Sequence, residues 1–264
     1  MAGQQETEGG RDGMAGARRL AAALQQDAEL LAILHDREVS PGILAALKAA
    51  PFADQMAVRL RSNEALAALS AFDAAIGQIP QEADAGVFDA LAVDYSDVYL
   101  RHACRIQPSE SFWLTEDHLE RQGPMLELRE EMRRANLRLT DWAGRAEDHL
   151  VPQLLFIARL LDTAGKDGNL EGVAHVLDRH LLQWVGRFAQ GLAAARGPEL
   201  YVAIAALTAA WCGEVRDVLA QVTGIPRPAV TDEKKNASGR KRSSTRSADP
   251  PQETPYMPGI GPGW

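Results

Sequence analysis

The sequence predicts an all-α protein on three observations. Apolar residues recur at helical spacing along most of the chain, and no segment sustains the apolar/polar alternation of a half-buried strand. Alanine and leucine are abundant, whereas β-branched residues never gather into a strand-like block bounded by turns. With 264 residues, 46% of them hydrophobic, the chain can bury one substantial core or two small ones. Its longest nearly apolar run, YVAIAALTAAWCG at 201–213, is well short of the roughly 18 to 20 residues a membrane span needs, so a soluble protein without membrane insertion is expected.

Taken in order, residues 1–14 are expected to be a flexible leader, and the first helix to run from about Ala15 to Leu34 with Leu20, Leu24, Leu31 and Leu34 on one stripe. Ser40 and Pro41 form an N-cap and first-position proline for a short helix that Pro51 closes. Helical stretches at about 53–61 and 63–77 follow, the second ended by Gly77 and Pro80. From about Ala83 to His102, Phe88, Leu91, Tyr95, Val98 and Tyr99 fall at helical spacing as a core stripe. A connection of about twenty residues then carries PSESFWLTED at 108–117, long enough to be functional or disordered, with aromatics that argue against disorder. Gly123 and Pro124 restart a helix through Arg134 with Met125, Leu128 and Met132 inward.

A helix from about Glu147 to Ala164 contains Pro152, which must lie in its first turn or kink it. Either way Asp148 and His149 stand at a helix N-terminus, where a carboxylate meets the positive end of the dipole and can cap free N–H groups. Asn169 caps the next helix, which continues with a bend near His180 to about Arg196. Pro198 opens the last one, to Val222, with Ile204, Thr208, Trp211, Val215 and Leu219 buried and Gly224-Ile225-Pro226 as its stop. About nine to eleven helices over 15–225 are expected. Residues 226–264 form a basic, Pro-rich tail that should be disordered, since TDEKKNASGRKRSSTRSADPPQET has almost no apolar residues. The terminal PYMPGIGPGW, with Tyr256, Met257, Ile260 and Trp264, is either a docking motif or a frayed end.

Net charge is −8, unevenly spread: 226–264 hold seven basic and four acidic residues, leaving 21 basic and 32 acidic residues over 1–225, a net −11. So acidic a body repels phosphate backbones and favours a partner bearing Arg or Lys, so nucleic acid is disfavoured. Arg18-Arg19 followed by LAAAL resembles an export signal, but Asp27 and Glu29 interrupt the apolar run and no small-residue cleavage site follows. Cys104 and Cys212 have no C-x-x-C spacing, which agrees with a reducing, cytoplasmic compartment.

Catalytic signatures are missing from the sequence. There is no H-E-x-x-H, no pair of E-x-x-H segments and no Gly-rich phosphate loop, and nothing local activates either cysteine. A non-catalytic binding module requiring no cofactor or metal is the economical reading. Two rivals stand beside it: a helical adaptor for some other partner, and a metal-dependent enzyme with a site built from His102, His118 and His149. The connection at 108–117 sets Phe112 and Trp113 beside Glu110, Glu116 and Asp117. A pair of large aromatics there either anchors the loop or offers a surface. Asp148-His149-Leu150 is a second cluster, either a helix cap or part of a site. The third is His180-Leu181 with Trp184 and Phe188 on one helix face, either a core stripe or part of a site.

In this order and separated by helices, these residues resemble the TorD/DmsD-type family of molybdoenzyme-specific chaperones, the redox enzyme maturation proteins. The resemblance runs over about 94–222 and takes in Tyr95, Glu110-Ser111-Phe112-Trp113, Gln122-x-Pro124 with Leu126-Glu127-Leu128-Arg129 behind it, Asp148-His149-Leu150 with Phe156, and His180-Leu181-x-x-Trp184 with Phe188. Gln153 and Leu155 depart from it, standing where the family usually has acids, and the basic tail is not part of it. The resemblance implies a single helical domain of two packed sub-bundles and a cytoplasmic chaperone, monomer or homodimer. That chaperone would bind the twin-arginine leader and apo-form of a molybdopterin-containing oxidoreductase until its cofactor is inserted, delaying export. The expected leader- and client-binding residues are Glu110, Phe112, Trp113, Glu116, Asp117, Gln122, Asp148, His149, His180 and Trp184. The acids would meet guanidinium groups and the rings an apolar helix, in one open cleft.

Overall fold

The computed structural model describes the backbone of residues 2–140 and 144–228 and the side chains of 13–140 and 144–228. Its elements are α1 (Ala2–Asp36), α2 (Pro41–Lys48), α3 (Phe52–Gln55), α4 (Asn63–Gln78), α5 (Ala85–Tyr99) and α6 (Glu110–Leu114). After these come α7 (Gly123–Arg134), α8 (Leu150–Asp167), α9 (Glu171–Val176), a π-helical turn (Leu177–Leu181), α10 (Leu182–Ala194) and α11 (Glu199–Thr223). The protein is all-α: among the described residues the one β-type feature is an isolated antiparallel bridge between Ser109 and His149.

Local signals set most boundaries. Ser40 caps α2 by accepting from Ile43 N–H, Ser62 caps α4 through Ala65 N–H, and Asp84 caps α5 through Val87 N–H. Gly224 ends α11 in the left-handed conformation, at φ 72°, where a side chain would be strained. Two expectations need correction. The first helix, expected to start at about Ala15, is helical backbone from Ala2 onward; its Gln4-Gln5-Glu6 run is made of good helix formers. The helix expected at about 53–61 is a single turn, because distant acids take the following N–H groups. Asp27 accepts from Ala57 (2.6 Å) and Val58 (3.0 Å), and Glu214 accepts from Arg61 (2.9 and 2.7 Å) and Ser62.

The α1–α8 pair and the α4–α10–α11 group share one contiguous apolar core, from Ala21 in α1 to Leu219 in α11. Polar pins cross it. His35 bonds Tyr99 Oη (2.6 Å) and Thr208 Oγ1 (2.8 Å), which ties α1 to α5 and α11, and Tyr95 donates to the Asp36 carbonyl (2.6 Å). Buried Arg216 pairs with Asp178 (2.8 Å) and donates to the carbonyls of Ile225 and Pro226, fixing the chain as it leaves α11. Residues 229–264, with the expected disorder and terminal docking motif, lie outside the described residues. Among those described, no helix is long and apolar enough to cross a membrane.

Candidate functional site

The connection between α5 and α7 is bent sharply: His102, Arg105, His118 and Arg121 all hold positive φ, between 48° and 58°. A non-glycine residue costs about 1–2 kcal/mol there, so outside contacts must hold this path. They do so from the strand-like residues before α8. Glu110 N–H donates to the Asp148 carbonyl (2.9 Å) and Leu150 N–H to the Pro108 carbonyl (2.8 Å). Asp148 Oδ2 accepts from Ser111 N–H (2.9 Å) and so caps α6. The expectation that Asp148 caps the helix following it is corrected: the backbone bridge turns its side chain toward α6, and His149 caps α8, its Nδ1 accepting from Val151 N–H (3.1 Å). Pro152 lies in the first turn of α8, as its missing N–H requires.

Behind this cap sits a buried polar cluster. Glu110 is 2% exposed, and its carboxylate faces His180 Nδ1 (3.1 and 3.0 Å) and accepts from Gln153 Nε2 (2.9 Å). Gln153 Nε2 also donates to the Asp148 carbonyl (3.0 Å), while its Oε1 accepts from Trp184 Nε1 (3.4 Å). The π turn brings His180 inward at the point where the sequence expects a bend. On its other side His180 Nε2 lies 3.5 Å from Glu131, a carboxylate that also faces His175 and Arg179 from α7. Burial opposes charge on His180, but the Glu110 hydrogen bond and the charges of Glu110 and Glu131 outweigh it and raise its pKa. Burial also pushes Glu110 and Asp148 upward, against the lowering effect of His180 on the first and Ser111 on the second. Burial holds His149 well below its ordinary value, with Arg145, His35 and His102 adding to the effect.

Glu110, Asp148, His149, His180 and Trp184 are therefore brought together, but inside the protein; the expectation that they face an open cleft is not met. Hydrophobic packing explains this: Trp184 and Phe188 belong to the core, and Glu110, Asp148, His149, His180 and Trp184 each have at least one hydrogen-bond partner inside, although Asp148 Oδ1 and His180 Nε2 have none. The other five keep part or most of their surface exposed. Trp113 is half-buried and anchors α6: its Nε1 donates to the Gln107 carbonyl (3.0 Å), and its ring lies so close to Gly191 of α10 that a Cβ there would be 2.8 Å from Cη2. Phe112 is half-buried, edge-on to Trp113 with centroids 5.2 Å apart. Gln122 N–H donates to Ser111 Oγ (3.0 Å), and Glu116 and Asp117 are exposed.

Two residues of the cluster escaped the sequence reading as members of it. Gln153 is its hub; its signal was the departure from the family pattern, since an acid at that position would face Glu110 without a donor. Glu131 carried no signal, because only the fold brings it to α9 and the π turn. The histidine site fails to assemble: His118 is exposed and bonded to the Phe112 carbonyl, His149 is a buried cap, and among the described residues no group of three or more His, Cys, Asp or Glu is placed to hold a metal. Burial pushes the Cys212 thiol up to about 12, so it stays protonated.

These features define an all-helical protein built around a short helix clamped between two longer ones. Residues 61–190 match the family model described as Nitrate reductase delta subunit, a family of chaperones that mature molybdoenzymes and act on their subunits. The match takes in every motif from Tyr95 to Trp184. No curated protein matches the chain.

Proposed function

We propose that the chain is a cytoplasmic, non-catalytic chaperone that binds the twin-arginine leader and the apo-form of a molybdopterin-containing oxidoreductase, supports cofactor insertion and delays export. The family match supports the maturation role. The observation that favours a leader as ligand is the outer surface of α6 and of the chain leading into α7. There exposed Glu116 and Asp117 stand near Leu119 and Leu126, which are 55% and 56% exposed, and beside half-buried Phe112. Carboxylates next to uncovered apolar side chains suit two guanidinium groups followed by an apolar helix. In this reading Glu110, Asp148, His149, His180 and Trp184 are positioning residues that hold α6 in register. Trp113 and Gln122 join them, and the client touches Phe112, Glu116 and Asp117.

The test is calorimetric titration of a synthetic leader peptide, Arg-Arg followed by a leucine-rich segment, into the wild type and the Glu116→Gln/Asp117→Asn variant. At low salt the variant should bind about tenfold more weakly, a gap that closes as salt rises, because exposed charges are screened. Equal affinities, or equal binding of a Gln-Gln control peptide by the wild type, overturn the assignment.

A further inference from the structure

We infer that the cavity at the C-terminal end of α7 takes an acidic segment of another polypeptide, one in which carboxylates flank an apolar side chain. Its volume is about 400 Å³; Met132, Leu137 and Leu139 give it apolar surface, and Arg129, Arg133 and Arg138 stand around them. Short-range rules build it. Arg129, Met132 and Arg133 follow one another at helical spacing on one face of α7. Asn136 then ends the helix in the left-handed conformation, at φ 56°, its N–H donating to the Arg133 carbonyl (3.0 Å) and the Leu137 N–H to the Met132 carbonyl (2.8 Å). That turn brings Leu137, Arg138 and Leu139 alongside the arginines of the last helical turns.

Charge says what fits. Residues 1–225 carry a net −11, yet residues 121–140 hold five arginines and three glutamates, a net +2. One of those glutamates, Glu131, is turned away to His175, Arg179 and His180. At the cavity Glu147 holds Arg129 (2.7 and 3.0 Å), and Glu130 serves both Arg133 (2.8 Å) and Arg134 (3.2 Å). Arg138 forms no ion pair among the described residues. Four guanidiniums thus meet two carboxylates, which leaves two positive charges for a ligand. A planar guanidinium fork suits a carboxylate, whereas a leader of arginines and apolar residues has the wrong sign here. A free anion gains little: Arg133 and Arg138 are exposed, and water screens exposed ion pairs. A peptide adds an apolar side chain against Leu137 and Leu139. It also brings carbonyls for the Arg138 and Leu139 N–H groups, which lie outside any helix and have no partner among the described residues. A second copy of this chain fits poorly, because two bodies of net −11 repel more than a local +2 offsets.

The test uses fluorescein-labelled peptides of about 12 residues, too short to depend on a helix of their own. The first has two glutamates on each side of a Leu-Phe pair, the second has glutamines in their place, and the third keeps the glutamates around a Ser-Ser centre. By fluorescence anisotropy at low salt the full-length protein should bind the first at least about tenfold more tightly than either control. Arg133→Gln/Arg138→Gln, at exposed positions, should weaken that binding about tenfold without moving the melting temperature, and should leave binding of the twin-arginine leader peptide as it is in the wild type. Inorganic phosphate at matched ionic strength should not displace the first peptide. The inference is overturned if no peptide binds at millimolar concentration, if the glutamine peptide binds as well as the first, or if the arginine variant binds as the wild type does. Equal binding of the Ser-Ser peptide, or displacement by phosphate, would also overturn it and leave a site for a free anion. Sedimentation showing a wild-type dimer that Arg138→Glu splits would do the same, giving the cavity to a second copy. A failure of the leader reading at α6 leaves this result untouched, because none of the three peptides carries an arginine.

Discussion

Glu110 is a carboxylate that the interior tolerates because both its oxygens have donors, His180 on one side and Gln153 on the other. Such a pair contributes little net stability over an apolar substitute, but breaking it from one side strands a buried charge. Glu110→Gln and His180→Asn should each lower the unfolding free energy by about 2–4 kcal/mol, and the double variant should lose at least about 1 kcal/mol less than their sum. Urea titrations of the four proteins measure this; strict additivity would mean that the two residues do not act as a pair. Residue identity at this scale was partly legible. Glu110 and His180 stand out as polar residues among apolar ones, yet nothing in the sequence says that they face each other across 70 positions.

At the scale of elements, α6 has five residues, far too few to persist as an isolated helix. It exists because Asp148 caps it, the Ser109–His149 bridge holds its entry, and Trp113 fits the space left by Gly191. Gly191→Ala should therefore cost about 1–3 kcal/mol by overpacking and displace the indole, read as a shift in tryptophan emission. Gly186→Ala, on the same helix with open space around it, should instead be neutral or gain up to about 1 kcal/mol from helix propensity. If both variants melt alike, Trp113 does not anchor α6. The start of α2 was legible because its cap, Ser40, lies within three residues of what it caps. The shortness of α3 was not, because Asp27 and Glu214 reach it from 30 and 153 positions away.

For the whole molecule, proton linkage gives a stability optimum near neutrality. Burial lowers the pKa of His35 to about 3 and holds His149 well below its ordinary value, so the unfolded chain binds protons that the folded one refuses. Their contribution is complete above about pH 6.5 and declines as pH falls toward the folded values, by up to about 1.4 kcal/mol per pH unit for each histidine. His180 has the opposite sign: its raised pKa adds stability that is present below its ordinary value and fades as pH rises through the folded one. Urea midpoints should fall between pH 6.5 and 5, and His35→Gln, though less stable at pH 7, should fall less steeply; a wild-type midpoint constant over that range refutes the linkage. By itself the sequence determined the helical class, most helix ends and the motifs that mark the family. These depend on periodicity and capping, which act within a few residues. Tertiary structure alone decided that five of the ten expected binding residues form a buried clamp, while Phe112, Trp113, Glu116, Asp117 and Gln122 keep part or most of their surface exposed. Burial is set by which helices meet, and those contacts join residues dozens to hundreds of positions apart.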